Sequence, residues 1–297
     1  MSEPTKNTAV ERLTAQPRPG SEPIPAADPK YILGHSPAEI RRLRTQSEVL
    51  RPTTKRLLHA AGVSEGMRVL DLGCGAGDVS VLAAELVGPS GSVVGIDRNA
   101  DAVAVANERV RSCGLRNVDF RRTELHAFTS DASFDCVVGR YVLIHQANPA
   151  EFLRAGARFL RRQGVIALHE HDLTRPVFNS SPVVPRWNAL GELLRAAFIE
   201  ALPHYDVANR MVEHFLSAWL PTPSIFKEIP VSSGDHSMSC RLAVETLRSV
   251  QHRLAEMGRF PRETSALERI EDSLRDAAVA ARGVLELLTQ VRAWARI

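Results

Sequence analysis

From Gly66 onward the apolar positions come in two alternating textures. Short runs such as "RVLDL" and "SVVGID" are apolar on both faces of an extended chain, whereas Val79, Leu82, Ala83, Leu86 and Val87 return at helical spacing. The pattern predicts strands at 68–72, 93–97, 118–121, 134–139 and 164–170, with helices at 77–87, 99–113 and 149–161. Strands buried on both faces that alternate with helices form a parallel sheet with helices on both sides. Past residue 175 the pattern predicts helices at 185–201 and 205–218, a sixth strand in "SIFKEIPV" and helices at about 241–257 and 263–282, and a last strand lies in "GVLELLTQVRAWAR".

The N-terminal side reads differently. Ser36, Pro37 and Glu39 make a helix start with a capping box, Ile40, Leu43 and Leu50 continue it, and Pro52 starts a second short helix through Leu57 and Leu58. Before it, Pro4, Pro17, Pro19, Pro23, Pro25 and Pro29 stand among few large apolar residues, too few to offset ordering entropy. Three parts are therefore expected: a disordered tail at 1–28, a helical leader at 29–64, and a domain at 65–297 carrying a helical cap at about 237–282. The basic side chains Arg41, Arg42, Arg44, Arg51, Lys55 and Arg56 read as a solvated helix face.

Composition changes little in this picture. At 297 residues, 44% hydrophobic and 24% charged, with a net charge of +3, the chain suits a soluble domain and gives no concentrated basic surface for nucleic acid. No apolar run approaches the ~20 residues of a membrane span. Cys74, Cys113, Cys136 and Cys240 lack paired or zinc spacing and read as reduced thiols, so a cytoplasmic protein is expected.

The chemistry starts at "RVLDLGCGAGD". Gly73, Gly75 and Gly77 follow a strand and precede a helix, about twenty residues before Asp97. Glycines allow backbone N–H groups to approach a ligand, and an acidic residue ending the second strand can accept both hydroxyls of a ribose. A dinucleotide motif would place its third glycine where Asp78 stands. Asp71 would repel a pyrophosphate and pair with an ammonium group, which points to the cationic amino-acid nucleoside S-adenosyl-L-methionine.

"VLDLGCGAGD", "VVGIDRNADAVAVA" and "SFDCVVGRYVLIHQ" together resemble the successive motifs of class I S-adenosylmethionine-dependent methyltransferases, the group that includes the ubiquinone and menaquinone biosynthetic enzymes. The likeness covers roughly residues 31–172, and "YILGHSPAEIRRLRTQ" resembles the leader of bacterial small-molecule members. It implies a Rossmann-like α/β fold with a seven-stranded, mostly parallel sheet whose last strand is antiparallel. It also implies that Asp71, Gly73 and Gly75 hold the methionine moiety, Asp97 the ribose and Arg98 the flank of the adenine. The family's Gly-Asp after the third strand is here Thr123-Glu124, so Glu124, with Leu125 beside it, would take the adenine amino group. Arg140 and Tyr141 would face the methionine and the methyl group. Tyr31 and Gln46 would contact the cofactor's carboxylate or close over the site.

After the fifth strand comes "ALHEHDL", where His169 and His171 share one face of the strand and Glu170 and Asp172 the other. A histidine here could take a proton from an acceptor hydroxyl, and His171 is the first candidate, with His169 second and His145 on the cavity wall. A metal site and a packed strand end are the competing roles; no metal is expected. Trp187, Phe198, Phe215 and Trp219, with Leu254, Met257 and Phe260 of the cap, suggest an enclosed, partly hydrophobic acceptor. The expected activity is methylation at oxygen or carbon of a secondary-metabolite or quinone-like small molecule, with room for a homodimer. A nucleic-acid or protein methyltransferase, or a non-catalytic cofactor-binding scaffold, is the alternative.

Overall fold

The computed structural model describes residues 37–235, 237–261 and 267–297; Tyr31, Ser36 and the expected tail lie outside them. One helix, α1 (Pro37–Ala60), precedes the sheet. The alternation then runs β1 (Arg68–Leu72), α2 (Asp78–Val87), β2 (Ser92–Asp97), α3 (Ala100–Ser112), β3 (Val118–Arg122), β4 (Phe134–Arg140), α4 (Pro149–Ala157) and β5 (Leu160–His171). The remaining elements are β6 (Asn179–Ser181), α5 (Pro185–Ala201), α6 (Met211–Ser217), β7 (Ser224–Glu228), β8 (Val231–Ser233), α7 (Met238–Glu256), α8 (Ile270–Ala280), β9 (Val284–Glu286) and β10 (Gln290–Arg296).

Seven strands make the main sheet in the order β3-β2-β1-β4-β5-β10-β7. The first five are parallel, and β10 runs antiparallel to both β5 and β7, as the expected Rossmann-like arrangement requires. The order reverses between β1 and β4, and a crevice opens at such a switch point beyond the carboxyl ends of the strands. Residues Leu70, Leu72, Val137, Ile166 and Leu168 bury one face of the sheet, while Val69, Val93, Val138, Val165 and Ala167 bury the other under α1 and α2.

Four expectations change. Pro52 does not divide the leader: α1 is continuous across it. Proline removes one N–H and crowds the preceding turn, but Pro52 is on the exposed side, and Leu50, Thr53, Thr54, Leu57 and Leu58 bury the opposite side of the same turns. Second, α4 ends at Ala157, four residues early, because Leu160–Gly164 extends β5 through a register shift opposite Phe134 and Cys136. Third, "SIFKEIPV" and the last segment each split between two sheets: β7 and β10 join the main sheet, whereas β8 and β6 both pair with β9 in a three-stranded sheet. No periodicity marked these three-residue strands.

The fourth correction concerns side chains assigned to surface or cavity. Arg42 is 3% exposed and donates to both carboxylate oxygens of Glu39 at 2.8 and 2.7 Å, and Ser249 of α7 donates to the same Glu39 at 2.9 Å. Burying a charge requires a partner, and the helix spacing of three residues provides one that the reading of a solvated face overlooked. Trp187 is fully buried and stacked on Phe178 at 4.3 Å, and Phe215 is equally buried. Trp219, by contrast, is 82% exposed beneath the Arg154 guanidinium. Neither tryptophan encloses a cavity.

Candidate active site

Two glycines define the turn after β1. Gly73 has φ +64°, and a Cβ there would lie 2.6 Å from Val142, so both backbone and space exclude a side chain. Gly75 has φ +52°, yet a Cβ would meet nothing within 4 Å: the turn leaves open space above it. Asp97 borders that space, accepting Gly75 N–H at 2.9 Å on one oxygen and Asn99 N–H at 2.8 Å on the other. Asp71 is buried at the end of β1, and Ser80 donates to it at 2.6 Å. Burial pushes its carboxyl up to about 7, against the Ser80 hydrogen bond and the Arg140 charge. A buried carboxylate in need of a cation, beside an open glycine turn and a second carboxylate, fits an aminoacyl nucleoside that carries positive charge.

Asp78 occupies the position where a dinucleotide motif has glycine. It is the first residue of α2, pairs with Arg140 at 3.0 Å, and is bonded also by Arg109. Its negative charge at a helix N-terminus is favourable, and it anchors Arg140, whose side chain is only 8% exposed.

Past β4 the chain turns sharply. Tyr141 has φ +56°, a left-handed conformation costing a non-glycine residue about 1–2 kcal/mol. Several contacts hold it: its N–H donates to His169 O at 2.8 Å, and its hydroxyl to Gln290 at 2.6 Å. The next two N–H groups, of Val142 and Leu143, donate to Glu170 Oε1 at 2.9 and 2.8 Å. Glu170 Oε2 is buried without a partner, and desolvation pushes the carboxyl up to about 8. A carboxyl protonated in the folded state and ionised in the unfolded one weakens the fold as pH rises from about 4.5 through 8. Glu170→Gln keeps the acceptor and cannot ionise. Thermal melts from pH 5 to 8 should therefore show the parent chain losing about 1 kcal/mol per pH unit relative to the variant; parallel profiles would mean that Glu170 is ionised in the fold.

The three candidate histidines occupy different surroundings. His169 is fully buried; its Nδ1 meets Thr54 Oγ1 at 3.1 Å and its Nε2 meets Gln290 Oε1 at 2.9 Å. Desolvation, with the charges of Arg140 and Arg292, holds it well below its ordinary range. His171 stands at the strand's end, edge-on to Tyr141 at 4.4 Å, and its Nδ1 is shielded from water without a hydrogen-bond partner. Burial pushes its ring down to about 3, assisted by the charges of His145 and Arg42. His145 lies in a 3-10 turn, Leu143–His145, and burial with the Arg98 charge pushes it down to about 4. All three rings are thus neutral at pH 7, not poised near neutrality.

Of the other expected residues, Glu124 follows β3 beside Asp97, whose carbonyl accepts Thr123 N–H at 3.0 Å. Its side chain is exposed and meets His126 at 3.2 Å, while Leu125 is half-buried against the core. Arg98 is exposed after β2, and Gln46 on α1 accepts from Arg42 at 2.7 Å. Among the described residues no group of three or more His, Cys, Asp or Glu side chains is placed to hold a metal ion.

The family profile described as a methyltransferase domain matches residues 63–209. The aklanonic acid methyltransferase DauC of Streptomyces sp. strain C5 is 32% identical over 176 residues, covering 58% of this chain and 76% of that protein. The chain belongs to the S-adenosylmethionine-dependent methyltransferases. A demethylmenaquinone methyltransferase of Listeria welshimeri is 29% identical over 154 residues, 52% of this chain and 59% of its own length. An arsenite methyltransferase of Aquipseudomonas alcaligenes is 36% identical over 115 residues, 36% of this chain but 33% of its own length. The methyltransferase thus spans less than two thirds of the last two relatives. The YcgJ protein of Bacillus subtilis shares the fold, with a TM-score of 0.54 at 17% identity over 83% of this chain and 98% of that one. No helix among the described residues is long and apolar enough to cross a membrane.

Sequence reasoning missed Thr54, Ser80, Gln290 and the buried role of Arg42 in this methyltransferase. One signal was available for Gln290: in "QVRAWAR" the polar Gln290 and Arg292 alternate with Val291 and Ala293, so the sheet face under α1 receives polar groups. Thr54 carries no such mark.

Proposed function

We propose that this methyltransferase methylates oxygen or carbon of a small, partly hydrophobic acceptor of the secondary-metabolite or quinone-like class, in the cytoplasm. The observation that carries the reading is His171: a neutral ring with a shielded, unpartnered nitrogen, edge-on to Tyr141 at the carboxyl edge of β5. An unsatisfied buried nitrogen is costly without a ligand to complete it, and an acceptor hydroxyl would complete it. Similarity to the aklanonic acid and demethylmenaquinone methyltransferases supports an organic small molecule.

When bound, S-adenosylmethionine supplies a methyl group already activated on a sulfonium, so the protein has to align, exclude water and move a proton. Asp71 would balance positive charge on the methionine side, with Gly73, Gly75, Arg140 and Tyr141 around it. Asp97 would accept from the ribose, and Arg98, Glu124 and Leu125 would flank the adenine. His171 would accept the acceptor's proton, His145 would line the cavity, and His169, with both nitrogens engaged, would hold the wall behind. In this reading residues 29–64, including Tyr31 and Gln46, act as a leader closing over a domain at 65–297, and the region 237–282 is its cap.

Titration calorimetry tests the cofactor side: S-adenosylmethionine and S-adenosylhomocysteine should bind and NAD should not, because Asp71 disfavours a pyrophosphate. Comparable NAD affinity would defeat the assignment of Asp71. Transfer of labelled methyl to a panel of hydroxylated quinones, phenols and aromatic acids tests the acceptor class, and labelling of protein or RNA instead would overturn it.

A further inference from the structure

Gln290 opens β10 and reaches into the site from the antiparallel strand. Two groups converge on its Oε1, the Tyr141 hydroxyl at 2.6 Å and His169 Nε2 at 2.9 Å, while its own Nε2 donates to Leu288 O at 2.8 Å. That last bond settles which end of the amide is oxygen, and an amide oxygen only accepts. Both partners must therefore donate: Tyr141 commits its proton to Gln290, and His169 carries its proton on Nε2. His169 Nδ1 is then the bare nitrogen and accepts Thr54 O–H at 3.1 Å, and Thr54 Oγ1 accepts Arg140 Nη1 at 3.4 Å. The hydrogen bonds run in one direction, from Arg140 through Thr54 and His169 to Gln290, where Tyr141 joins. Gln290 is 1% exposed and Thr54 and His169 are fully buried, which limits competition from water.

We propose that Gln290 is a positioning residue for methyl transfer, holding the Tyr141 phenol edge-on to His171 and locking His169 as its Nε2–H tautomer. The proposal rests on the reading that the acceptor meets Tyr141 and His171. Its chemical consequence concerns the proton: with its own proton given to Gln290, the Tyr141 oxygen offers a ligand only lone pairs and cannot donate to the acceptor, whose proton is left to His171. The link joins residues 149 apart in sequence and ties α1, β4, β5 and β10 to one phenol.

The test is two-bond 15N–1H correlation on 15N-histidine-labelled protein, with and without S-adenosylhomocysteine, the His169 signals being assigned through His169→Asn. The parent chain should show His169 as the Nε2–H tautomer. Gln290→Glu, protonated in this buried setting, keeps one oxygen for both donors and a hydroxyl for Leu288 O, and should preserve it. Gln290→Leu removes the acceptor, and His169 should shift toward Nδ1–H, donating to Thr54. On an acceptor from the panel, Gln290→Leu should lower kcat by about 10–100-fold with S-adenosylhomocysteine affinity within about threefold, and Gln290→Glu should recover most of the rate. A parent chain with His169 in the Nδ1–H form overturns the proposal by itself, as does a Gln290→Leu protein that keeps both the tautomer and kcat. Failure of the parent chain to bind S-adenosylhomocysteine would instead strike the cofactor reading, because the tautomer is measured without ligand as well.

Discussion

Methyl transfer by the His171→Ala variant is expected to be about 10²–10⁴-fold slower than in the parent chain, the loss typical of removing a general base, with affinity for S-adenosylhomocysteine unchanged. His171 stands at the carboxyl end of β5 and its ring Nδ1 has no hydrogen-bond partner, so truncation of the side chain keeps the backbone pairing with Gln290. The pH profile distinguishes its role further. Because burial holds the ring near 3, its neutral, proton-accepting form predominates above about pH 4, and the parent rate should show no acid limb from His171 between pH 5 and 8. The variant's rate should climb at alkaline pH as the acceptor hydroxyl ionises unaided. A variant of normal rate on its true acceptor would leave His171 only a packing role, or point to a carbon nucleophile that requires no base.

Asp97→Ala should weaken S-adenosylhomocysteine binding by roughly 2–4 kcal/mol, about 30- to 900-fold. Two losses combine. The ribose would lose a charged acceptor, and the glycine turn would lose its brace, since the same carboxylate holds Gly75 N–H and Asn99 N–H. Each such bond to a charged group contributes about 1.5–3 kcal/mol, and the contributions are not additive. Calorimetry on the variant, with a thermal melt to confirm folding, measures the effect. Unchanged affinity would place the ribose elsewhere.

Both predictions depend on positions legible in the chain before any fold was known. Asp71, Gly73, Gly75 and Asp97 could be read because they belong to one strand, turn, helix and strand in sequence, and local rules govern such a unit: glycine where φ is positive, apolar residues where the strand is covered, an acid where the second strand ends. The HEHD segment was half legible. Strand alternation told which residues share a face, but not that His169 is saturated while His171 has a bare nitrogen, because both facts come from Thr54, Tyr141 and Gln290.

The chain by itself therefore determined the parallel α/β sheet and the strand-turn-helix unit that carries Asp71, Gly73 and Gly75, since periodicity and turn chemistry act over a few residues at a time. Tertiary structure alone decided the rest: that Pro52 sits within one helix, that Arg42 is buried against Glu39, that β6, β8 and β9 form a second sheet, and that Gln290 meets Tyr141. These features join segments distant in sequence or oppose local preference. Pro52 and Arg42 run against intrinsic tendency and persist because packing of the surrounding turns and a buried ion pair outweigh it. A hydrogen bond across 149 residues has no local signature, because its partners become neighbours only when β10 inserts beside β5.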